Sequence, residues 1–229
     1  MRKTAAYTYA DLPRLMTLMT GDEKHGPSAT STLDAIWVLY DRVLRVSLAS
    51  AAEPDRDRFV LSKGHGPMAY YAVLAAKGFL AEDTLRSFGR GGSPLGYHPD
   101  ARLIPGVEIG SGSLGHGLPI AVGLALGLRA RRSGARVFCL VGDAELEEGS
   151  NWEAVQLAGR LALGGLAVVA IDNRSSTLGW PGGIAARFEL EGWTTRTVNG
   201  RSHAALEEAY AGAGPAHPHL VVASVEAEQ

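Results

Sequence analysis

Two unbroken runs of apolar residues stand out along the chain, at residues 137–141 and 166–171. A continuous apolar run of this length is typical of a strand that is buried on both faces, as in a parallel sheet. Two further short strands are predicted at residues 194–198 and 220–225, and residues 59–61 form a short apolar run. Each of the two long runs is followed directly by glycine, acidic or amide residues, so each strand is expected to end in polar side chains.

Between these strands the apolar residues follow a helical period. Over residues 31–47 they recur at intervals of three and four, with Ser31 as a suitable N-cap. Further helices are predicted at residues 12–19, 68–77, 118–132, 152–162 and 203–211. Strands that alternate with helices predict an α/β fold, in which a parallel sheet carries helices on both faces. No linker divides the chain, so we expect a single domain over residues 1–229, with residues 1–21 as an N-terminal extension of uncertain order.

Composition and charge exclude several classes of function. The 229 residues include 22 basic and 24 acidic side chains, and a formal net charge of -2 argues against a general nucleic-acid-binding protein. The single cysteine, Cys139, allows neither a disulfide framework nor a cysteine-based zinc site. The sequence contains no signal-peptide pattern and no apolar run of about 18 residues that would span a membrane. We therefore expect a cytoplasmic protein that binds neither nucleic acid nor membranes.

The two long strands end in oxygen-bearing side chains. Asp143 follows the first strand, and Asn173 follows the second, 30 residues later along the chain. Ligands bind at the carboxyl ends of parallel strands, and Mg²⁺ prefers carboxylate, amide and carbonyl oxygens. The spacing is compatible with a shared metal site, but a helix cap at Asp143 and a turn at Asn173 explain the same residues.

Glycine and histidine are concentrated in two predicted loops. His65 lies in the segment Ser62-Lys-Gly-His-Gly-Pro, and His98 lies in the long glycine- and proline-rich stretch 89–115. A loop of that length inside a compact domain is usually functional or disordered, and we interpret it as functional, although a single loop histidine is most often merely solvated. Residues 110–115 also fit the dinucleotide fingerprint, but they lack the preceding strand and the acidic residue about 20 positions later that it requires.

Five segments together resemble a known family. The segment Gly142-Asp-Ala-Glu-Leu-Glu-Glu-Gly-Ser-Asn-Trp-Glu-Ala, with Asp172-Asn173 after the next strand, is similar to the transketolase form of the thiamine-diphosphate-binding motif. The other segments agree in order: the region of His25, Asp57-Arg-Phe-Val-Leu-Ser-Lys-Gly-His-Gly, Tyr97-His-Pro-Asp, and Gly110-Ser-Gly-Ser-Leu-Gly-His-Gly. The resemblance covers residues 22–225. It implies the thiamine-diphosphate-binding fold of the N-terminal, diphosphate-binding domain of transketolase, which is a separate subunit in split members of the family.

The resemblance assigns a metal and diphosphate site. It implies that Asp143, the side chain of Asn173 and the main-chain carbonyl of Ser175 bind Mg²⁺, which bridges to the diphosphate of the cofactor. Gly142 and the backbone N–H of Ala144 would lie against the diphosphate. The family more often has glycine at the position of Ala144, which is a mild departure.

The resemblance also assigns three histidines. It implies that His25, His65 and His98 line the channel to the thiazolium ring and contact the diphosphate, the donor ketose or the reacting oxygens. Two contexts depart from the family pattern. Lys24-His-Gly-Pro replaces the more usual Gly-His-x-Gly around His25, and His116 stands where glutamine is common.

Three further assignments follow from the same resemblance. Gly112 and Leu114 would hold the aminopyrimidine ring through backbone groups. Glu148 would contact its counterpart across a dimer, in a relay between two cofactors. Without the family, Glu148 would be interpreted as an acid in the first turn of a helix, where the helix dipole favours it.

The function implied is that of the N-terminal subunit of a transketolase-like enzyme, which moves a two-carbon ketol unit from a ketose phosphate to an aldehyde. The family carries the activating glutamate in a pyrimidine-binding domain, for which no residues remain here. We therefore expect a separate C-terminal transketolase subunit, an α2β2 assembly, and no activity from this chain alone. The alternatives are the α subunit of another thiamine enzyme such as a 2-oxoacid dehydrogenase, a non-catalytic scaffold subunit, and a dinucleotide oxidoreductase.

Overall fold

Five strands form one sheet in the order β1-β2-β3-β5-β4. The structure is a computed structural model that describes residues 7–20 and 26–225. Neighbouring strands all pair in parallel, which confirms the predicted α/β fold. The strands lie within one or two residues of the predicted runs: β1 (Arg58–Leu61), β2 (Val137–Gly142), β3 (Leu166–Asp172), β4 (Thr194–Asn199) and β5 (His219–Ser224).

Seven α-helices accompany the sheet in the part of the chain that the structure describes. They are α1 (Leu12–Thr17), α2 (Gly26–Val38), α3 (Met68–Ala76), α4 (Gly117–Ala130), α5 (Gly149–Arg160), α6 (Gly183–Leu190) and α7 (His203–Tyr210). Short 3₁₀ turns precede α1 and α5 and follow α3. Within the described ranges, no helix is both long enough and apolar enough to cross a membrane.

The sheet separates two hydrophobic clusters. Successive side chains of a strand point to opposite faces, and Phe138 and Cys139 accordingly belong to different clusters. One cluster joins the sheet to α1, α2, α3 and α7, and the other joins it to α4, α5 and α6. Helices on both faces bury the central strands completely, which explains why β2 and β3 appear in the sequence as unbroken apolar runs.

The helix predicted at residues 31–47 has different bounds in the structure. It begins at Gly26 and continues beyond α2 as a π-helical turn, Leu39–Val43. After this turn the Asp57 carboxylate accepts a hydrogen bond from the Arg45 N–H at 3.1 Å, and the Asp57 N–H donates to the Arg45 carbonyl at 3.4 Å. The predicted extent was wrong because Asp57, distant along the chain, binds the backbone groups that a longer helix would use.

Helix α6 has no counterpart among the predicted elements. It follows the turn-rich segment 179–182 and is followed by Gly192 with φ +85°. The sequence signal was weak but present, because Ile184 and Phe188 are spaced four residues apart and both are buried. This pair anchors α6 against the second hydrophobic cluster.

The described part of the expected N-terminal extension, residues 7–20, packs on the domain. Leu12 and Leu15 of α1 are fully buried in the first hydrophobic cluster. Arg14 donates two hydrogen bonds to the Glu82 carboxylate, at 2.8 and 3.1 Å, and Tyr7 donates to the same group at 2.5 Å. These hydrogen bonds connect residues 7–20 to the 3₁₀ turn that follows α3.

The polar loops lie at the carboxyl edge of the sheet. Because all five strands are parallel, the loops after β1, β2 and β3 leave the sheet at the same edge. The Asp143 N–H donates to the Ile171 carbonyl at 3.0 Å, which extends the pairing of β2 with β3 by one step. Asp143 is therefore held beside the end of β3, where ligands bind in parallel α/β sheets.

Candidate active site

Asp143 is a buried carboxylate surrounded by hydrogen-bond donors. Its side chain lies beyond the end of β2, and the residue is 1% exposed. One oxygen accepts from the Ala144 N–H at 2.9 Å and from the Ser175 hydroxyl at 2.5 Å. The other accepts from the N–H groups of Ser175, at 2.7 Å, and Ser176, at 3.1 Å. The loop after β3 thus folds directly over this carboxylate.

Asn173 and Ser175 complete a group of oxygens around Asp143. The Ser175 hydroxyl, which bonds Asp143, also lies 2.9 Å from Asn173 Oδ1. A carboxylate oxygen and an amide oxygen from neighbouring strand ends therefore converge on one point. No group of three His, Cys, Asp or Glu side chains suited to a metal occurs in the described residues. The oxygen set fits Mg²⁺, which takes carboxylate and carbonyl ligands and keeps several waters.

Glu147 fixes the loop that carries Asn173 and Ser175. Its carboxylate accepts from the Ser176 hydroxyl at 2.6 Å and from the N–H groups of Thr177 and Leu178 at 2.7 and 2.9 Å. These backbone and side-chain hydrogen bonds lower the pKa of Glu147, because they favour its charged form. Sequence reasoning did not single out Glu147, since an acid in a 3₁₀ turn has no distinctive spacing to a loop 30 residues away.

His65 and His98 meet although 33 residues separate them along the chain. Their ring centroids lie 5.4 Å apart, and the rings are nearly perpendicular at 86°. Both side chains are partly exposed. The structure therefore brings together the two loop histidines that the sequence placed in separate segments.

Glycines allow the histidine loops to pack closely. A Cβ at Gly112, where φ is +125°, would lie 2.8 Å from the His98 ring. A Cβ at Gly64 would lie 2.8 Å from the Gly112 nitrogen and from the Ser111 hydroxyl. The buried Ser111 hydroxyl has no hydrogen-bond partner among the described residues, so a polar ligand atom would satisfy it. The cradle formed by Gly64, Ser111 and Gly112 fits a bound cofactor, and Ser111 was not predicted from the sequence.

Glu145 links the histidine segments to the end of β2. The residue is 2% exposed, and its carboxylate accepts from the Ser62 hydroxyl at 2.5 Å and from the Gly115 N–H at 3.1 Å. The Gly142 N–H donates to the second oxygen at 3.3 Å. Burial raises the pKa of Glu145, whereas these donors and the nearby charge of Lys63 act in the opposite direction. Glu145 was also missed, because its neighbour Asp143 carries the recognisable part of the motif.

The remaining predicted residues occupy the edges of this region. The Gly142 N–H is bonded to Glu145, and the Ala144 N–H is bonded to the side chain of Asp143. Leu114 is exposed in the loop before α4. Glu148 is exposed at the N-cap of α5, where a Cβ on Gly115 would touch it at 2.7 Å.

His116, which departs from the family pattern, lies apart from the pair that His65 forms with His98. His116 is exposed at the N-cap of α4, and its carbonyl accepts from the Ile120 N–H at 3.2 Å. His25 lies outside the described residues. The fingerprint segment 110–115 enters α4, but no strand precedes it, which disfavours the dinucleotide alternative.

Comparison with known families identifies the family of this chain. A family model described as the thiamine-diphosphate-binding domain of transketolase matches residues 17–224. The chain belongs to the transketolase family. This match confirms the resemblance drawn from the sequence motifs, and it favours a transketolase over the 2-oxoacid dehydrogenase alternative.

The relatives of this chain carry different names. The chain is 52% identical over 220 residues to a protein of Rhodococcoides fascians named ferredoxin fas2, and the match covers 96% of this chain and 72% of that protein. A protein of Actinobacillus succinogenes is named as one of the subunits of an apulose-4-phosphate transketolase. The chain is 34% identical to it over 207 residues, covering 87% of this chain and 75% of the relative.

A solved transketolase shares the fold. The transketolase of Leishmania mexicana superimposes with a TM-score of 0.79 at 27% identity, and the match covers 96% of this chain. The same match covers 37% of the Leishmania protein. This chain thus corresponds to little more than one third of that transketolase.

Proposed function

We propose that this chain is the diphosphate-binding subunit of a two-component transketolase, which transfers a two-carbon ketol unit from a ketose phosphate to an aldehyde. One observation carries the proposal: the paired His65 and His98 lie at the same edge of the sheet as the converging oxygens of Asp143 and Asn173. A non-catalytic scaffold subunit would need neither the histidine pair nor the converging oxygens. The Actinobacillus relative is itself named as one subunit of a transketolase, which supports a division of the enzyme into two chains.

Metal binding is assigned to the end of the sheet. Asp143 and Asn173 would hold Mg²⁺ through their side-chain oxygens, and Ser175 would add its main-chain carbonyl. Mg²⁺ at this place offsets the negative charge of a diphosphate. Glu147 keeps the loop 176–178 in place by accepting four hydrogen bonds from it, and the Ser175 hydroxyl, which now lies between Asp143 and Asn173, would move aside for the metal.

The cradle and the histidines are assigned to the cofactor and the substrate. Thiamine diphosphate supplies the electron sink that allows the carbon–carbon bond of the ketose to break and re-form. Backbone groups of Gly142 and Ala144 would approach the diphosphate, and Gly112 and Leu114 would hold the aminopyrimidine. His65 and His98 would donate protons to, and accept them from, the reacting oxygens, because imidazole exchanges protons near neutral pH. We assign His25 to the same channel and Glu148 to the contact between two cofactor sites.

The assembly follows from the same proposal. The activating glutamate would come from a C-terminal subunit with a pyrimidine-binding domain, and two copies of each chain would form a heterotetramer. We place this assembly in the cytoplasm, where ketose phosphates occur.

Reconstitution tests the proposed function. The purified chain is expected to show no ketol transfer, and addition of the partner subunit with thiamine diphosphate and Mg²⁺ is expected to produce it. The Asp143→Ala chain, mixed with the same partner, controls for activity that belongs to the partner alone. Turnover by this chain without a partner, or by the Asp143→Ala mixture at the wild-type rate, would contradict the proposal.

A second candidate function uses the same site for an oxidation. It is favoured by the relative at 52% identity, which is named a ferredoxin. Iron–sulfur clusters are usually held by four cysteine thiolates, whereas this sequence contains only Cys139, which is buried in β2. In this candidate function, an oxidised ferredoxin would accept electrons from the assembled enzyme.

Assays with two different acceptors distinguish the two candidate functions. The assembled enzyme is given a ketose phosphate with either an aldehyde or an oxidised ferredoxin, and both product ketose and reduced cluster are measured. Ketol transfer without cluster reduction supports the first candidate. Donor-dependent cluster reduction without ketol transfer supports the second.

A further inference from the structure

Three segments that carry candidate functional residues meet at one buried carboxylate, that of Glu145. Ser62 leads into the loop of His65, Gly115 ends the glycine-rich loop that packs on His98, and Gly142 precedes Asp143. Each of the three donates a hydrogen bond to Glu145. The Gly117 N–H reinforces the junction, because it donates to the Ser62 hydroxyl at 3.0 Å.

The junction leaves little room for adjustment. A Cβ at Gly117 would lie 2.3 Å from the Ser62 hydroxyl oxygen. The Asn151 side-chain amide holds the backbone of Glu145 through a 2.6 Å hydrogen bond to its carbonyl. The backbone of Glu145 is therefore held in the turn before α5, and its carboxylate is held by donors on three other segments.

We propose that Glu145 is a positioning residue, which sets the place of the His65–His98 pair relative to Asp143. The proposal rests on the proposed function, and it adds a role that the metal and cofactor assignments do not contain. A carboxylate is required because it only accepts hydrogen bonds, and all three partners donate. Glutamine has nearly the same shape, but its amide nitrogen would face one of these donors.

The first test is structural and uses the full chain. In Glu145→Gln, we expect the imidazole NMR signals of His65 and His98 to shift, while those of His217 and His219 stay unchanged. The exposed Glu153 on the following helix, α5, provides the matched control, and Glu153→Gln is expected to shift none of them. Unchanged signals of His65 and His98 in folded Glu145→Gln would overturn the proposal.

The second test measures the consequence in the assembled enzyme. A misplacement of about 1 Å lowers rates by as much as 10²-fold, so kcat of Glu145→Gln is expected to fall roughly 10- to 100-fold. The affinity for thiamine diphosphate is expected to fall less in this variant than in Asp143→Ala, because the oxygens of Asp143 and Asn173 remain. Wild-type kcat in a variant with shifted histidine signals would also overturn the proposal.

A milder variant covers the case in which Glu145→Gln does not fold. Ser62→Ala removes one donor and leaves the two N–H groups on the carboxylate, and it is expected to shift the same two histidine signals by a smaller amount. The absence of any shift in Ser62→Ala would then overturn the proposal. If wild-type enzyme shows no ketol transfer while the histidine signals shift as expected, the proposed function fails and the positioning by Glu145 stands.

Discussion

At the scale of single residues, Asp143 is expected to be needed for metal binding but not for folding. It lies beyond the end of β2 and not within the hydrophobic clusters. Asp143→Ala is therefore expected to keep the fold and to weaken Mg²⁺-dependent binding of thiamine diphosphate to the assembled enzyme by at least about tenfold, as for loss of a group that supports a metal. Calorimetric titration measures the affinity. Asp172→Asn, at the end of the neighbouring strand β3, is the control, and equal affinities in the two variants would contradict the assignment.

The histidine pair leads to a prediction about rate. His65→Ala and His98→Ala are each expected to lower turnover of the assembled enzyme roughly 10²- to 10⁴-fold, the range for removal of a positioned acid or base. Cofactor affinity is expected to fall less than in Asp143→Ala. Steady-state kinetics at saturating donor and acceptor provide the measurement, and the exposed His217 provides the control variant, His217→Ala. Wild-type turnover in either variant would show that the histidine concerned is not catalytic.

At the scale of elements, Asp57 joins the end of the π-helical turn to the sheet. Its side chain is fully buried and accepts from the guanidinium groups and the backbone N–H groups of Arg45 and Arg136. Burial raises the pKa of Asp57, but these hydrogen bonds outweigh it and lower the pKa to about 2. A carboxyl whose pKa is lowered on folding stabilises the folded state above its ordinary pKa, and this contribution is lost as the pH falls towards 2.

Asp57→Asn tests this contribution. The variant is expected to lose about 2 kcal/mol of unfolding free energy at neutral pH, as a shift of nearly two pKa units implies. Its stability is also expected to fall less steeply than that of the wild type between about pH 4 and pH 2. Urea unfolding across this pH range measures both effects, with exposed Asp55→Asn as the control. Parallel acid limbs for wild type and Asp57→Asn would contradict the prediction.

The elements also differ in how far the sequence could predict them. β2 and β3 were predictable because burial on both faces demands an unbroken apolar run. The end of the helix predicted at residues 31–47 was not, because Asp57, which is distant in sequence, binds the backbone of Arg45. In the candidate site, the sequence predicted that Asp143 and His65 lie at the carboxyl edge of the sheet, whereas it gave no sign of Glu145 and Glu147, because their hydrogen-bond partners lie about 30 or more residues away.

At the scale of the whole molecule, residues exposed on the side that carries the candidate site are relevant to how this chain assembles with its partner subunit. Glu148 is exposed at the start of α5, and Ile120, Leu157 and Leu161 are large apolar side chains exposed on α4, α5 and the residue that follows α5. We expect the mixture of this chain with its partner to contain two copies of each. Light scattering after gel filtration measures the mass, to which the two copies of this chain contribute 24.1 kDa each. A stable one-to-one complex with full activity would contradict the heterotetramer.

The donors around Asp143 have a consequence for the life of the protein in the cell. Structural zinc domains are unfolded without their ion, because the ion is part of the folding free energy. In this chain Ala144, Ser175 and Ser176 already satisfy the Asp143 carboxylate with the protein's own hydrogen bonds. We therefore expect the chain to fold without a bound ion or cofactor. A cell short of thiamine is then expected to keep a folded stock of this subunit that can bind the cofactor when the vitamin returns.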